Sequence, residues 1–160
     1  MFDLETSIGH LTNWSAKLFE RAAGRRIQHL GFSVGHIAIV LALGRQGRLS
    51  QKQLVEQAVI EQPTMAATLK RMEKSGLIVR EADPLDGRVS LFRLSKKSTR
   101  VLDKFYEALE EGNTVALAGV TMAEKALLVR LLQRVVGNLS TDIAATGAAR
   151  SASKIKSTQR

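Results

Sequence analysis

The chain has 160 residues, 44% of them apolar and 24% charged, which suffices for one ordinary core and lies outside the disordered range. It carries a formal charge of +9 and no cysteine, so a disulfide framework, a thiolate zinc site and a thiol nucleophile are excluded. The longest apolar run, Ile37 to Leu43, falls far short of the ~18 residues of a membrane span. The opening Met-Phe-Asp-Leu-Glu has neither the basic nor the apolar region of a secretory signal, so a cytoplasmic location is expected.

Residues 4 to 28 read as a helix, because Leu4, Ile8, Leu11, Leu18 and Ala22 recur at helical spacing. Gly31 is placed to end it, and Ser33 to cap a second helix that reaches about Gln46. Ser50 and Gln53 have the spacing of a capping box and open a short helix, Gln51 to Ala58. After a break of about four residues, Pro63 sits in the first turn of a helix that runs to about Ser75, with Met65, Leu69 and Met72 on one face. Leu77–Ala82 and Arg88–Leu94 are rich in β-branched and large apolar residues and flank the turn sequence Asp83-Pro-Leu-Asp-Gly87, which predicts a hairpin. Ser95 is placed to cap a helix from Lys96 to about Ala118. Thr121 and Glu124 form a second capping box, and the helix after it carries a stripe of Leu128, Leu131, Leu132, Val135, Leu139 and Ile143 that demands a partner surface. Residues 144–160 hold four bases, no acid and many small residues, which reads as a flexible tail.

The positive charge is local. Residues 70 to 100 contain nine bases and four acids, and a polyanion is the obvious partner. Two short helices joined by a tight turn make a helix-turn-helix, and a bare helix about 10–12 Å wide fits the major groove of duplex DNA. With Met65, Leu69 and Met72 turned inward, the opposite face offers Gln62, Thr64, Ala67, Thr68, Lys70 and Arg71, small or polar groups for base edges and cations for phosphates. The hairpin tip can reach the adjacent minor groove, where focused negative potential favours an arginine.

The blocks Glu61-Gln-Pro-Thr-Met-Ala-Ala-Thr-Leu-Lys-Arg-Met-Glu-Lys-Ser-Gly-Leu-Ile78 and Asp83-Pro-Leu-Asp-Gly-Arg-Val-Ser-Leu-Phe-Arg-Leu-Ser95 resemble the recognition helix and wing of the MarR family of transcriptional regulators. The resemblance implies a mainly α (α+β) fold, a single domain over 1–143. A winged helix-turn-helix lobe spans 32–95, and dimerisation helices span 1–31 and 96–143. It implies a homodimer on a pseudo-palindromic duplex operator, commonly a repressor released by a small aromatic or anionic effector. Asp86 and Arg88 match the family's wing pair, in which the carboxylate orients a guanidinium for the minor groove. Ser50 and Gln51 are expected to meet phosphate at a helix N-terminus. Ala67 and Leu85 depart from the pattern, since long polar or basic residues are common at both places.

His10, Trp14, Lys17 and Arg21 share one face of the first helix, and His36 can complete a pocket with them for an aromatic acid. Trp14 in a dimer interface is the alternative. The three histidines have neither ligand spacing nor a carboxylate cluster beside them, so no metal or other cofactor is expected. No Gly-x-Ser-x-Gly, His-Glu-x-x-His or phosphate-binding glycine loop is present, which argues against an enzyme. Seven aromatics are few for stacking single strands, and an architectural duplex-binding protein without operator specificity is the alternative function.

Overall fold

The computed structural model describes residues 3–158, with side chains as far as 146. Helix α1, Ile8–Ile27, starts later than periodicity suggested, because Ser7 Oγ accepts the His10 N–H at 3.3 Å and fixes the start there. A 3-10 turn, Gln28–Leu30, follows and closes on Gly31 at φ 85°, the left-handed conformation that glycine adopts without strain. A second 3-10 turn, Val34–His36, leads into α2, Ile37–Gln46. Next come α3, Gln51–Ala58, and α4, Gln62–Lys74, with Pro63 in its first turn.

The hairpin strands β2, Ile78–Ala82, and β3, Ser90–Leu94, pair antiparallel, with Ile78 opposite Leu94 and Ala82 opposite Ser90. A two-residue strand missing from the sequence reading, β1 (Leu49–Ser50), pairs with the other edge of β3 and sets Leu49 opposite Phe92. The result is a three-stranded sheet in the order β1-β3-β2. It meets the need of a two-stranded hairpin for further packing. The helix expected from Lys96 to Ala118 is two helices, α5 (Lys96–Arg100) and α6 (Leu102–Ala116), broken at Val101. The start of α5 is pinned to the α4–β2 junction: the Ser95 N–H and the buried Ser98 hydroxyl both donate to the Leu77 carbonyl, at 3.0 and 2.7 Å.

The chain divides into two compact units, Met1–Ala116 and Leu117–Arg160. The core of the first gathers Ile27, Phe32, Ile39, Leu43, Leu54, Met65, Leu69, Met72, Phe92 and Phe105, with Phe32 and Phe105 edge to face at 5.1 Å. The second consists of α7, Met122–Thr158, whose N-terminus is closed by Thr121 and Glu124 as the capping box predicted. The backbone of α7 stays helical past 144, where a flexible tail was expected. Residues 144–158 include five alanines and no proline, and alanine, lysine and arginine are good helix formers. The side chains of the basic tail beyond 146 lie outside the described residues. Among the described residues, no single helix is long and apolar enough to cross a membrane.

Candidate nucleic-acid interface

The N-terminus of α3 is built as the sequence predicted. Ser50 Oγ accepts the Gln53 N–H at 3.3 Å, and Gln53 Oε1 accepts the Ser50 N–H at 2.8 Å. Gln51 then reaches across the turn, and its Nε2 donates to Gln62 Oε1 at 3.1 Å. This bond ties the first residue of α3 to the first residue of α4 and leaves both amides at the surface. Along α4, Met65, Leu69 and Met72 are buried against the core, while Gln62, Thr64, Ala67, Lys70 and Arg71 are exposed.

Thr68 departs from expectation. It is only 5% exposed, and its Oγ1 accepts a bond from Arg71 Nη2 at 3.0 Å. It stands three residues after Met65 and four before Met72, so the helical repeat carries it to the inner face. The threonine therefore does not belong to the exposed row with Thr64 and Ala67.

Beside α4 runs a groove of about 760 Å³, walled by the start of α3, by α4 and by the hairpin. Lys52, Lys70 and Arg80 line it against the single carboxylate of Glu73, together with Ser50 and Gln51. Arg80 is steadied across the hairpin by a bond from its Nε to Ser90 Oγ at 2.9 Å. Sequence reading did not single out Lys52 or Arg80 as contacts. Strand alternation puts Arg80 on the same sheet face as buried Ile78 and opposite Phe92, so alternation gives no sign of a groove cation there, and only the packing of the hairpin beside α4 sets it in one groove with Lys70.

The hairpin tip is ordered by its own side chains. Asp83 Oδ1 accepts the Leu85 N–H at 2.8 Å, and the Val89 N–H donates to the Asp86 carbonyl at 2.8 Å. Asp86 holds Arg88 with two bonds, Nε to Oδ1 at 3.1 Å and Nη2 to Oδ2 at 3.3 Å, and it also accepts the Arg88 N–H at 3.1 Å. The Arg88 side chain and then its backbone N–H hold the Asp86 carboxyl below the usual carboxylate range. The guanidinium, 92% exposed, is thus oriented while still open to a partner.

A basic groove beside an exposed polar helix face, flanked by an arginine-bearing tip, is the winged-helix arrangement that grips duplex DNA. The family model described as MarR family matches residues 30–89, which is the helix-turn-helix and most of the wing. A solved structure of a probable transcriptional regulator from Pseudomonas aeruginosa is 30% identical, over 83% of this chain and 99% of that one, with a TM-score of 0.74. The PcaV transcriptional regulator from Streptomyces coelicolor, solved with its natural ligand, is 28% identical over 86% and 96% of the two chains, also at a TM-score of 0.74. The chain belongs to the MarR family. The uncharacterized HTH-type transcriptional regulator YdgJ of Bacillus subtilis is 26% identical over 110 residues, 69% of this chain and 67% of that protein. The MarR family and these relatives are DNA-binding transcription regulators and not enzymes.

Of the five residues expected to hold an effector in this MarR-family chain, three line one depression. His10, Trp14 and Lys17 line a shallow depression of about 270 Å³ with Asn13 on the outer face of α1. The His10 and Trp14 rings stand 5.7 Å apart. Arg21, further along the helix, is not among the residues lining that depression. His36 belongs to another environment. Its Nδ1 accepts the Ser33 N–H at 3.1 Å, and the charge that acts on it is Arg71 of α4. Burial, and secondly Arg71, hold its imidazole below the ordinary value. The local fold at Ser33–His36 uses the ring as a cap, which spacing along α1 could not reveal.

Proposed function

We propose that the protein is a homodimeric, sequence-specific repressor that binds a pseudo-palindromic duplex operator and is released by a small aromatic or anionic effector. The observation that carries this reading is the groove shared by α3, α4 and the hairpin, with three cations set against one carboxylate. Beside it, on the exposed face of α4, Gln62, Thr64 and Ala67 are the groups for base edges, with Ala67 suited to a thymine methyl. Ser50, Gln51, Lys52, Lys70, Arg71 and Arg80 serve phosphates, and Arg88, oriented by Asp86, serves the minor groove.

Dimerisation is supported by apolar surface left open in each unit. Leu4, Ile8, Leu11 and Leu18 are exposed on and before α1, and Leu128, Leu131, Leu132, Leu139 and Ile143 are exposed on α7. Burying such stripes is the ordinary reason for a twofold assembly, and a dimer spaces two recognition helices about 34 Å apart, one turn of duplex. The depression at His10, Trp14 and Lys17 offers an aromatic face and a cation for an aromatic acid. The natural ligand of the PcaV regulator supports ligand control in this chain. A regulator of this kind works in the cytoplasm.

The test is binding to the DNA upstream of its own gene, against excess non-specific duplex near 150 mM salt, since the phosphate contribution depends on salt. Competitor-resistant binding with two subunits per site is the expected result. Binding abolished by competitor on every genomic fragment tried would favour the architectural alternative.

A further inference from the structure

We propose that Leu85 is an apolar minor-groove wedge that makes binding depend on a deformable base step outside the half-site read by α4. This inference rests on the reading of the hairpin as a minor-groove element. Leu85 is 96% exposed at the very tip of the hairpin. Its place there is held rather than loose. Pro84 fixes the preceding backbone torsion, Asp83 Oδ1 accepts the Leu85 N–H, and the Asp83 N–H donates to the Val89 carbonyl at 2.9 Å, closing the turn behind it.

The same bonds occupy the acids on either side. Asp83 is turned to the backbone and Asp86 to Arg88. The tip therefore presents an isobutyl group beside an oriented guanidinium. These are the two kinds of group used in the minor groove: a cation for its potential, and an aliphatic side chain that slides between base pairs and unstacks them. Pyrimidine–purine steps such as TA unstack most readily, and A·T pairs lack the guanine amino group that would obstruct the groove floor. The leucine would thus read deformability, with no hydrogen bond to any base.

The experiment uses the full chain and duplexes recovered by selection from random-sequence DNA, carrying 2-aminopurine at the step facing the wing. Wild type is expected to raise 2-aminopurine fluorescence on binding and to prefer a TA step over a GC step by about tenfold, the size of one base-pair discrimination. Leu85→Ala and Leu85→Ser should lose both effects and keep the wild-type slope of affinity against salt. Arg88→Ala should weaken binding to both steps and reduce that slope by about one. Retention of the fluorescence rise and step preference in Leu85→Ala, with Arg88→Ala still weakened, would overturn the wedge alone. Unchanged affinity in Arg88→Ala would overturn the wing reading on which it stands. All three substitutions are at exposed positions, and circular dichroism of each variant confirms an intact fold.

Discussion

Thr68 and Arg71, three residues apart on α4, are joined by a 3.0 Å bond from the guanidinium to the threonine hydroxyl. The threonine is buried and the arginine exposed, so the core side of the helix aims a cation on its outer side. Thr68→Val removes the acceptor and keeps the shape. Arg71 then loses one anchor and can turn to water, so the stability loss should stay within about 1 kcal/mol. Operator affinity should fall modestly and by the same factor on every variant of the site. Thr64→Ala, at an exposed position, should instead relax preference at one base pair. Dissociation constants on a panel of singly substituted duplexes separate the two patterns.

Asp86 and Arg88 make the second prediction. Arg88→Ala should weaken operator binding by about 1–3 kcal/mol and leave the dimer intact, as sedimentation would show. Asp86→Asn should cost less, because the guanidinium remains but is no longer held. The Asp86 carboxyl is displaced downward from its ordinary value, so its charged form is the one favoured in the fold. Its contribution is present above the unfolded value and is lost only as pH falls through the lower folded one. The difference between wild type and Asp86→Asn should therefore be constant from about pH 5 to 8.

What local chemistry specifies is legible in the sequence. The Ser50–Gln53 box, Pro63 at the start of α4, the Asp83–Gly87 turn and the Thr121–Glu124 box each act within a few residues, and each stands where it was read. What long-range pairing creates was not. Strand β1 is two residues long and exists because Leu49 finds Phe92. The break at Val101 follows a short helix that Ser95 and Ser98 fasten to Leu77, and Arg80 joins Lys52 of α3 and Lys70 of α4 around one groove only once the hairpin packs beside them. Thr68 was misread for a different reason. An inward face defined by Met65, Leu69 and Met72 already includes the position between them, and a polar side chain there looks like a groove contact until its burial is known.

Val59 supplies the third prediction. It ends α3 at φ 52° and ψ 41°, and its side chain is 93% exposed. A β-branched residue in the left-handed region costs about 1–2 kcal/mol, with little packing at this site to offset it. Val59→Gly removes that strain and adds unfolded-state entropy of about 0.4–1 kcal/mol. The net expectation is a gain of about 0.5–1 kcal/mol in urea denaturation, with the α3–α4 turn unchanged. A loss of stability would mean that the valine makes a contact in the assembled protein.

His36 couples pH to the same lobe. Its imidazole is held below 6.5 by burial and by Arg71, and its Nδ1 must be unprotonated to accept the Ser33 N–H. In the unfolded chain the ring takes up a proton near its ordinary value, while in the fold it resists. Between those values the unfolded state binds more protons, so stability rises with pH there. The contribution is complete above about pH 6.5 and fades as pH falls through the depressed folded value. Thermal denaturation should thus show a midpoint that falls between about pH 7.5 and 5 in wild type. His36→Asn can still offer an oxygen to the Ser33 N–H and has no proton to gain. Its midpoint should change less over the same interval, and operator affinity should follow, since a protonated ring would stand against the Arg71 guanidinium of α4. Equal pH slopes for the two proteins would remove His36 from the account.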